Sequence, residues 1–189
     1  AQTRARFEGY TGAAETERKI LRDAFAPGDR WFRTGDLLRQ DTDGYFYFVD
    51  RIGDTFRWKG ENVATSQVSQ VLSVVPGVKE ANVYGVAVPG HEGRARMAAI
   101  DSKGEIDMDK LADALVAALA PFARPLFIRI KSNMETTATF KQKKTDLVRE
   151  GFDPSAIADP LFIAEGDKWR YVTLDDERYR AIAQGNMRL

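Results

Sequence analysis

The feature that most constrains this chain is a repeated change of hydrophobic period between residues 55 and 151. Val68, Val71, Leu72 and Val75 stand at i, i+3, i+4 and i+7, one face of a helix that Ser66 is placed to cap and Pro76-Gly77 to stop. ANVYGVAVP (81–89) and ARMAAID (95–101) follow as short runs of small or β-branched apolar residues, which read as buried strands. Met108, Leu111, Leu115 and Leu119 return to helical spacing, with Asp107 as N-cap and Pro121 as the end. LFIRIKS (126–132) reads as a further strand and KKTDLVREG (143–151) as a short helix. With TFRWKGENV (55–63) in front as a hairpin turning at Lys59-Gly60, the order hairpin, α, β, β, α, β, α predicts an α+β domain, a sheet flanked by helices. A second hairpin around Gly166-Asp167 and a terminal helix over 175–185 complete it.

The residues before this domain have a different character. AAETERKILRDAF (13–25) places Ile20, Leu21, Ala24 and Phe25 in one stripe and predicts an amphipathic helix. WFRTGDLLRQ and YFYFV flank DTDG, whose Asp43-Gly44 is a strong tight-turn signal, so residues 31–49 read as a two-stranded unit. Two strands and one helix are marginal alone in water. The expectation is a boundary near Gly53, with 1–52 forming the end of a larger upstream body and 53–189 a separate C-terminal domain. The opening AQTRARFEGY, with neither an initiator Met nor a signal-peptide pattern, is read the same way, as the start of a fragment.

Composition excludes several chemistries. Lys+Arg and Asp+Glu balance at 28 each, so no global field favours nucleic acid. The absence of Cys removes disulfides and thiolate chemistry, and a single His without companion ligands makes a metal site improbable. At 43% hydrophobic and 30% charged the composition is that of a core-forming chain, without an apolar run of membrane-spanning length.

Four segments, RTGD (33–36), DRIGDTFRWKGEN (50–62), YGVAVPGHEGRARMAAI (84–100) and TATFKQKKTDLVREGFDP (137–154), closely resemble the adenylate-forming acyl-CoA synthetases. Within that superfamily the chain is most similar to the fatty acid transport protein and very-long-chain acyl-CoA synthetase branch. Any one motif is weak; four in family order and spacing are strong. The resemblance implies a two-step ligase: a fatty acid and ATP form an acyl-adenylate and pyrophosphate, then CoA displaces AMP. It also implies that a small C-terminal domain swings between two orientations, one per step. The phosphate loop, adenine segment and acyl pocket of that family lie in an N-terminal domain outside this sequence, so the chain alone is expected to be inactive. ATP with Mg2+ and CoA are then substrates of the intact enzyme, none held tightly by this segment. The partners implied are the missing N-terminal domain and these substrates, with no nucleic acid. The location implied is cytoplasmic; peripheral membrane contact stays open, although no basic amphipathic helix here supports it.

The same resemblance assigns site residues, each beside a plainer reading. Asp36 matches the carboxylate that accepts hydrogen bonds from both ribose hydroxyls; taken alone it is a solvated turn aspartate. Arg51 matches an arginine at the ribose and phosphate, against a surface ion pair with Asp50 or Asp54. Gly53 matches the hinge, where a residue without Cβ absorbs a large backbone rotation, against a static turn. Gly60, Glu61 and Asn62 match the loop that enters the site for thioester formation, Gly60 allowing backbone to approach the CoA arm, against an ordinary hairpin turn. Lys141 matches the lysine that reaches the carboxylate and α-phosphate during adenylation, against one solvated basic face with Lys143 and Lys144. At ~4 Å and an effective dielectric of ~20, such a charge contributes about 4 kcal/mol. Trp58 reads as packing and His91 as a loop residue. Two departures from the family pattern are Ala138, beside Lys141, and Arg96, expected as a surface change at the start of a strand. A stand-alone interaction or regulatory module without catalysis remains the competing reading, and a carrier-protein thiol the competing acceptor.

Overall fold

A computed structural model describes residues 11–52, 55–132 and 144–189. The chain divides into two compact units, Ala1–Phe48 and Val49–Leu189.

In the first unit, α1 (Ala13–Arg18) is a helix of 6 residues, and β1 (Ile20–Arg22) pairs antiparallel with β2 (Arg30–Phe32). The helix expected over 13–25 therefore ends after Arg18. Pairing with β2 takes the backbone of residues 20–22, and two further effects keep the helix from resuming. Asp23 takes a left-handed φ of 52°, and the Asp29 carboxylate accepts the backbone N–H groups of Ala24, Phe25 and Ala26, which a continuing helix would have used. The run 31–40 also splits: after β2 the chain turns through Gly35 (φ 82°) into β3 (Asp36–Gln40), which pairs with β4 (Phe46–Arg51), a strand whose residues from Val49 onward belong to the second unit. Gly44 supplies the expected positive φ, 89°, in the turn between them. None of the described residues of this unit is buried, and Phe25, Trp31, Tyr45, Phe46 and Phe48 are all at least half exposed.

The second unit is the α+β domain read from the period changes. β5 (Phe56–Trp58) and β6 (Glu61–Val63) form the first hairpin; α2 (Thr65–Ser73), β7 (Val78–Val86) and β8 (Ala95–Ser102) follow. Then come α3 (Met108–Ala118), a 3-10 turn at Pro121–Ala123, β9 (Phe127–Ile130), α4 (Lys144–Glu150), β10 (Leu161–Glu165), β11 (Arg170–Thr173) and α5 (Asp176–Ala183). Five strands make one sheet in the order β11-β10-β9-β8-β7. All neighbours are antiparallel except β8 and β9, which are parallel and joined through α3, as a parallel pair requires a crossover. Leu111 and Leu115 of α3 and Val68 and Leu72 of α2 are fully buried, so the helical stripes do face the core. Stacked rings of Phe127 and Phe152 (4.3 Å), with Tyr179 edge-on to Phe152 at 5.4 Å, join β9, the residues after α4 and α5. Burying this apolar surface, at roughly 25 cal/mol per Å², is what holds the unit together.

Asp107 caps α3 as expected, accepting from the N–H groups of Asp109 (3.1 Å) and Lys110 (3.0 Å). Ser66 does not cap α2: it lies inside the helix, and its hydroxyl donates to the Val49 carbonyl. The cap comes from outside the local sequence. The buried Asp50 carboxylate accepts from the Thr65 N–H at 2.5 Å. A partner 15 residues away satisfies the orphan amide that a local Ser/Thr normally would.

Candidate functional site

The β5–β6 hairpin presents the most defined of the expected site elements. Lys59 (φ 48°) and Gly60 (φ 89°) both have positive φ, the two-residue turn whose twist matches the flanking strands. The register Trp58↔Glu61 and Arg57↔Asn62 brings Gly60, Glu61 and Asn62 together at the tip, all exposed, and Arg57 Nε donates to the Gly60 carbonyl at 3.1 Å. A Cβ at Gly60 would meet nothing within 4 Å, so the turn conformation and not crowding selects glycine here. Lys59 Nζ donates to the Leu189 carbonyl and lies 5.8 Å from the centre of the Trp58 ring. Trp58 is packing, as expected: it is 2% exposed, with its ring 5.4 Å from that of the loop residue His91.

What seats this hairpin is a pair of glycines that sequence reasoning passed over. At Gly85 in β7, a Cβ would come 2.8 Å from both Phe56 Cγ and Arg94 Cβ. At Gly93 (φ 85°) it would come 2.2 Å from the Arg57 carbonyl oxygen, which accepts the Arg94 N–H at 2.8 Å. β5 thus lies directly on the start of β8, in contact too close for any side chain. Both glycines were visible in the YGVAV and HEGR segments, but nothing local shows which glycine a distant strand will cover. A cavity of about 430 Å³ opens beside this contact, lined among others by Thr55, Phe56, Arg94, Lys144 and Val148.

Arg51 is exposed at the end of β4 in the second unit. Its carbonyl accepts from Thr55 N (3.0 Å) and Thr55 Oγ1 (3.2 Å), and its N–H donates to Asp50 Oδ1 (2.9 Å). Asp36 is the first residue of β3, in the first unit and half-buried, with its N–H donating to Thr34 Oγ1 at 3.1 Å. Gly53, Ala138 and Lys141 lie outside the described residues. Lys144 opens α4 and donates from Nζ to Thr65 Oγ1 at 3.1 Å.

Arg96 overturns the expectation of a surface change. It is 4% exposed, and its guanidinium donates to the carbonyls of Phe122 (2.7 Å) and Arg124. Burial lowers its pKa to about 10. Arg96 and Arg124 sit 6.0 and 5.8 Å from the centre of the Trp169 ring, which bridges their charges. The strand start is covered because the 3-10 turn folds over it, a tertiary contact no local pattern shows.

Among the described residues no group of three or more His, Asp or Glu could hold a metal ion, and no helix is long and apolar enough to cross a membrane.

A mixed sheet flanked by helices, with a glycine-tipped hairpin packed against the start of β8, is the form of a known domain class. Residues 67–141 match the AMP-binding enzyme C-terminal domain. The chain therefore carries the C-terminal domain of the AMP-binding enzymes, and its homologues are the long-chain fatty acid transport proteins. Mouse long-chain fatty acid transport protein 6 is 49% identical over 186 residues, 97% of this chain; the chain spans 30% of that protein's length. Among solved structures, the Mycobacterium tuberculosis fatty acyl CoA synthetase is 32% identical with a TM-score of 0.52, covering 67% of this chain and 25% of that one. The o-succinylbenzoate CoA synthetase of Bacillus subtilis, in complex with its acyl-adenylate intermediate, superposes with a TM-score of 0.64 at 26% identity, over 74% of this chain and 28% of that one.

Proposed function

We propose that this chain is the C-terminal part of an ATP-dependent, AMP-forming ligase that joins long- or very-long-chain fatty acids to CoA. The observation that carries the reading is that similarity to a fatty acid transport protein runs through 97% of the chain, across both compact units. A free-standing module would have no use for a first unit in which no described residue is buried. Its exposed Phe25, Trp31, Tyr45, Phe46 and Phe48 suit a surface that another body covers, and the N-terminal domain of the same polypeptide is that body.

In this reading residues 1–52 end the large adenylation core and residues 53–189 are the mobile C-terminal domain. Asp36 and Arg51 hold the ribose and phosphate region of the nucleotide. Lys141 stabilises the charge that develops on the α-phosphate as the fatty acid carboxylate attacks it and pyrophosphate leaves. After rotation about Gly53, the Gly60-Glu61-Asn62 turn lines the approach of the CoA thiol to the acyl-adenylate. Thioester formation then expels AMP. Mg2+ enters with ATP, and no side chain of this segment is assigned to it. In this reading the enzyme works in the cytoplasm.

The test uses the intact polypeptide. Adenylation is followed by fatty-acid-dependent exchange of pyrophosphate into ATP, and thioester formation from pre-made acyl-adenylate. Lys141→Ala abolishes the first and spares the second; loss of both, or of neither, removes Lys141 from this role. A native polypeptide no heavier than 21.2 kDa would instead support a module without catalysis.

A further inference from the structure

Residues just upstream of the proposed pivot are bonded to residues downstream of it. Asp50, three positions before Gly53, is 3% exposed. Its carboxylate accepts from the Thr65 N–H at 2.5 Å and from the Thr65 hydroxyl at 3.3 Å. The adjacent Val49 carbonyl accepts from the Ser66 hydroxyl. The Thr65 oxygen in turn accepts from Lys144 Nζ at 3.1 Å. A hydroxyl both donates and accepts, so these contacts form one directed chain from ammonium through hydroxyl to carboxylate.

All of these residues belong to the second compact unit, yet the chain between Asp50 and Thr65 runs through Gly53. A large rotation about Gly53 carries Val49 and Asp50 away from Thr65, Ser66 and Lys144. The bonds can therefore exist in only one setting of the pivot. Breaking them frees a buried carboxylate and the first amide of α2, both of which need new partners. That is the behaviour of a latch.

We propose that Asp50 anchors a hinge latch and that Lys144, acting through Thr65, is a positioning residue for the adenylation step. The proposal rests on the ligase reading and on Gly53 as pivot. Lys144 stands three residues after Lys141, and Asp50 stands next to Arg51. The latch thus ties the root of the segment bearing the proposed phosphate-binding lysine to the neighbour of the proposed nucleotide-binding arginine. The latched setting is the one that serves adenylation, and its release is a condition for thioester formation.

The intact polypeptide carrying Thr65→Val or Lys144→Met is expected to lose about tenfold in the rate of adenylation, as for loss of one charge-assisted hydrogen bond, with the KM for ATP little changed. Thioester formation from pre-made adenylate should stay at the wild-type rate. The double variant should be no worse than either single one, because both break the same chain. Equal loss in both half-reactions, or additive losses, would overturn the proposal. A cysteine pair, Val49→Cys with Ser66→Cys, supplies the opposite test: oxidation should retain adenylation and block thioester formation, and reduction should restore it. Thioester formation by the fully oxidised protein would also overturn it.

Hydrogen exchange separates the latch from the chemistry. The Thr65 amide should exchange about tenfold faster in Asp50→Asn than in the wild type; unchanged exchange refutes the latch whatever the activity. An intact protein that forms no adenylate refutes the ligase reading and the role of Lys144 with it, while Asp50 still stands or falls on the Thr65 exchange.

Discussion

Gly93 and Arg57 approach so closely that no side chain fits between them: a Cβ on residue 93 would stand 2.2 Å from the Arg57 carbonyl oxygen. That contact, with its Arg94 N–H bond of 2.8 Å, fixes where the glycine-tipped hairpin sits on the sheet. Gly93→Ala is expected to destabilise the second unit by about 2–4 kcal/mol, combining a backbone clash with an unfavourable positive φ. Gly85→Ala, crowding Phe56 and Arg94 at 2.8 Å without a positive φ, should cost less, about 1–3 kcal/mol. Urea midpoints for the two variants test the ranking; a Gly93→Ala variant as stable as wild type would mean the hairpin is not held there.

Gly60 offers the contrasting case. Its Cβ position is open, so only the φ of 89° penalises a side chain. Gly60→Ala should therefore cost about 1 kcal/mol in folding. In the intact polypeptide, if Gly60 has its proposed role of admitting the CoA arm close to the backbone, Gly60→Ala is expected to slow thioester formation well beyond adenylation. Denaturation and the two half-reactions, measured side by side, separate these effects.

Arg96 is a structural cation. Arg96→Ala strips the hydrogen bonds from the carbonyls of Phe122 and Arg124 and opens a cavity against Trp169, at an expected cost of about 2–4 kcal/mol. Arg96→Lys should recover only part of it, since one ammonium cannot reproduce the planar fork that reaches two carbonyls. Thermal unfolding of both variants checks the order.

The helix caps predict a dependence on acid. Hydrogen bonds from the Lys110 backbone N–H hold Asp107 below the ordinary aspartate value of 3.8, and those from the Arg178 backbone N–H do the same for Asp175. A carboxyl whose pKa is lower in the folded state stabilises the fold above the unfolded pKa and loses that contribution as pH falls through the folded one. Asp107→Asn and Asp175→Asn should therefore melt below wild type near pH 7, and the difference should shrink once pH drops below about 4. A difference that persists undiminished at pH 2 would place the effect in packing instead.

How much of this was legible in the sequence depended on the range of the interaction. The stripes of α2 and α3, the Asp107 cap and the Lys59-Gly60 turn are set by residues within a few positions of each other, and the expectations met the structure. Expectations failed where a distant partner outcompeted a local one. Ser66 had the right chemistry to cap α2, but Asp50 takes the amide; residues 20–22 had a helical stripe, but pairing with 30–32 and the Asp29 carboxylate take the backbone. Arg96 had no local signal at all.

By itself the sequence determined the order of elements in the second unit, the α+β class and the family whose motifs it carries, because hydrophobic period and turn chemistry are properties of neighbouring residues. Only the tertiary structure decided which glycines must stay bare, which arginine is buried, and which aspartate closes a helix from 15 residues away. Those depend on what the folded chain brings into contact, and contact between distant residues leaves no mark on either local pattern.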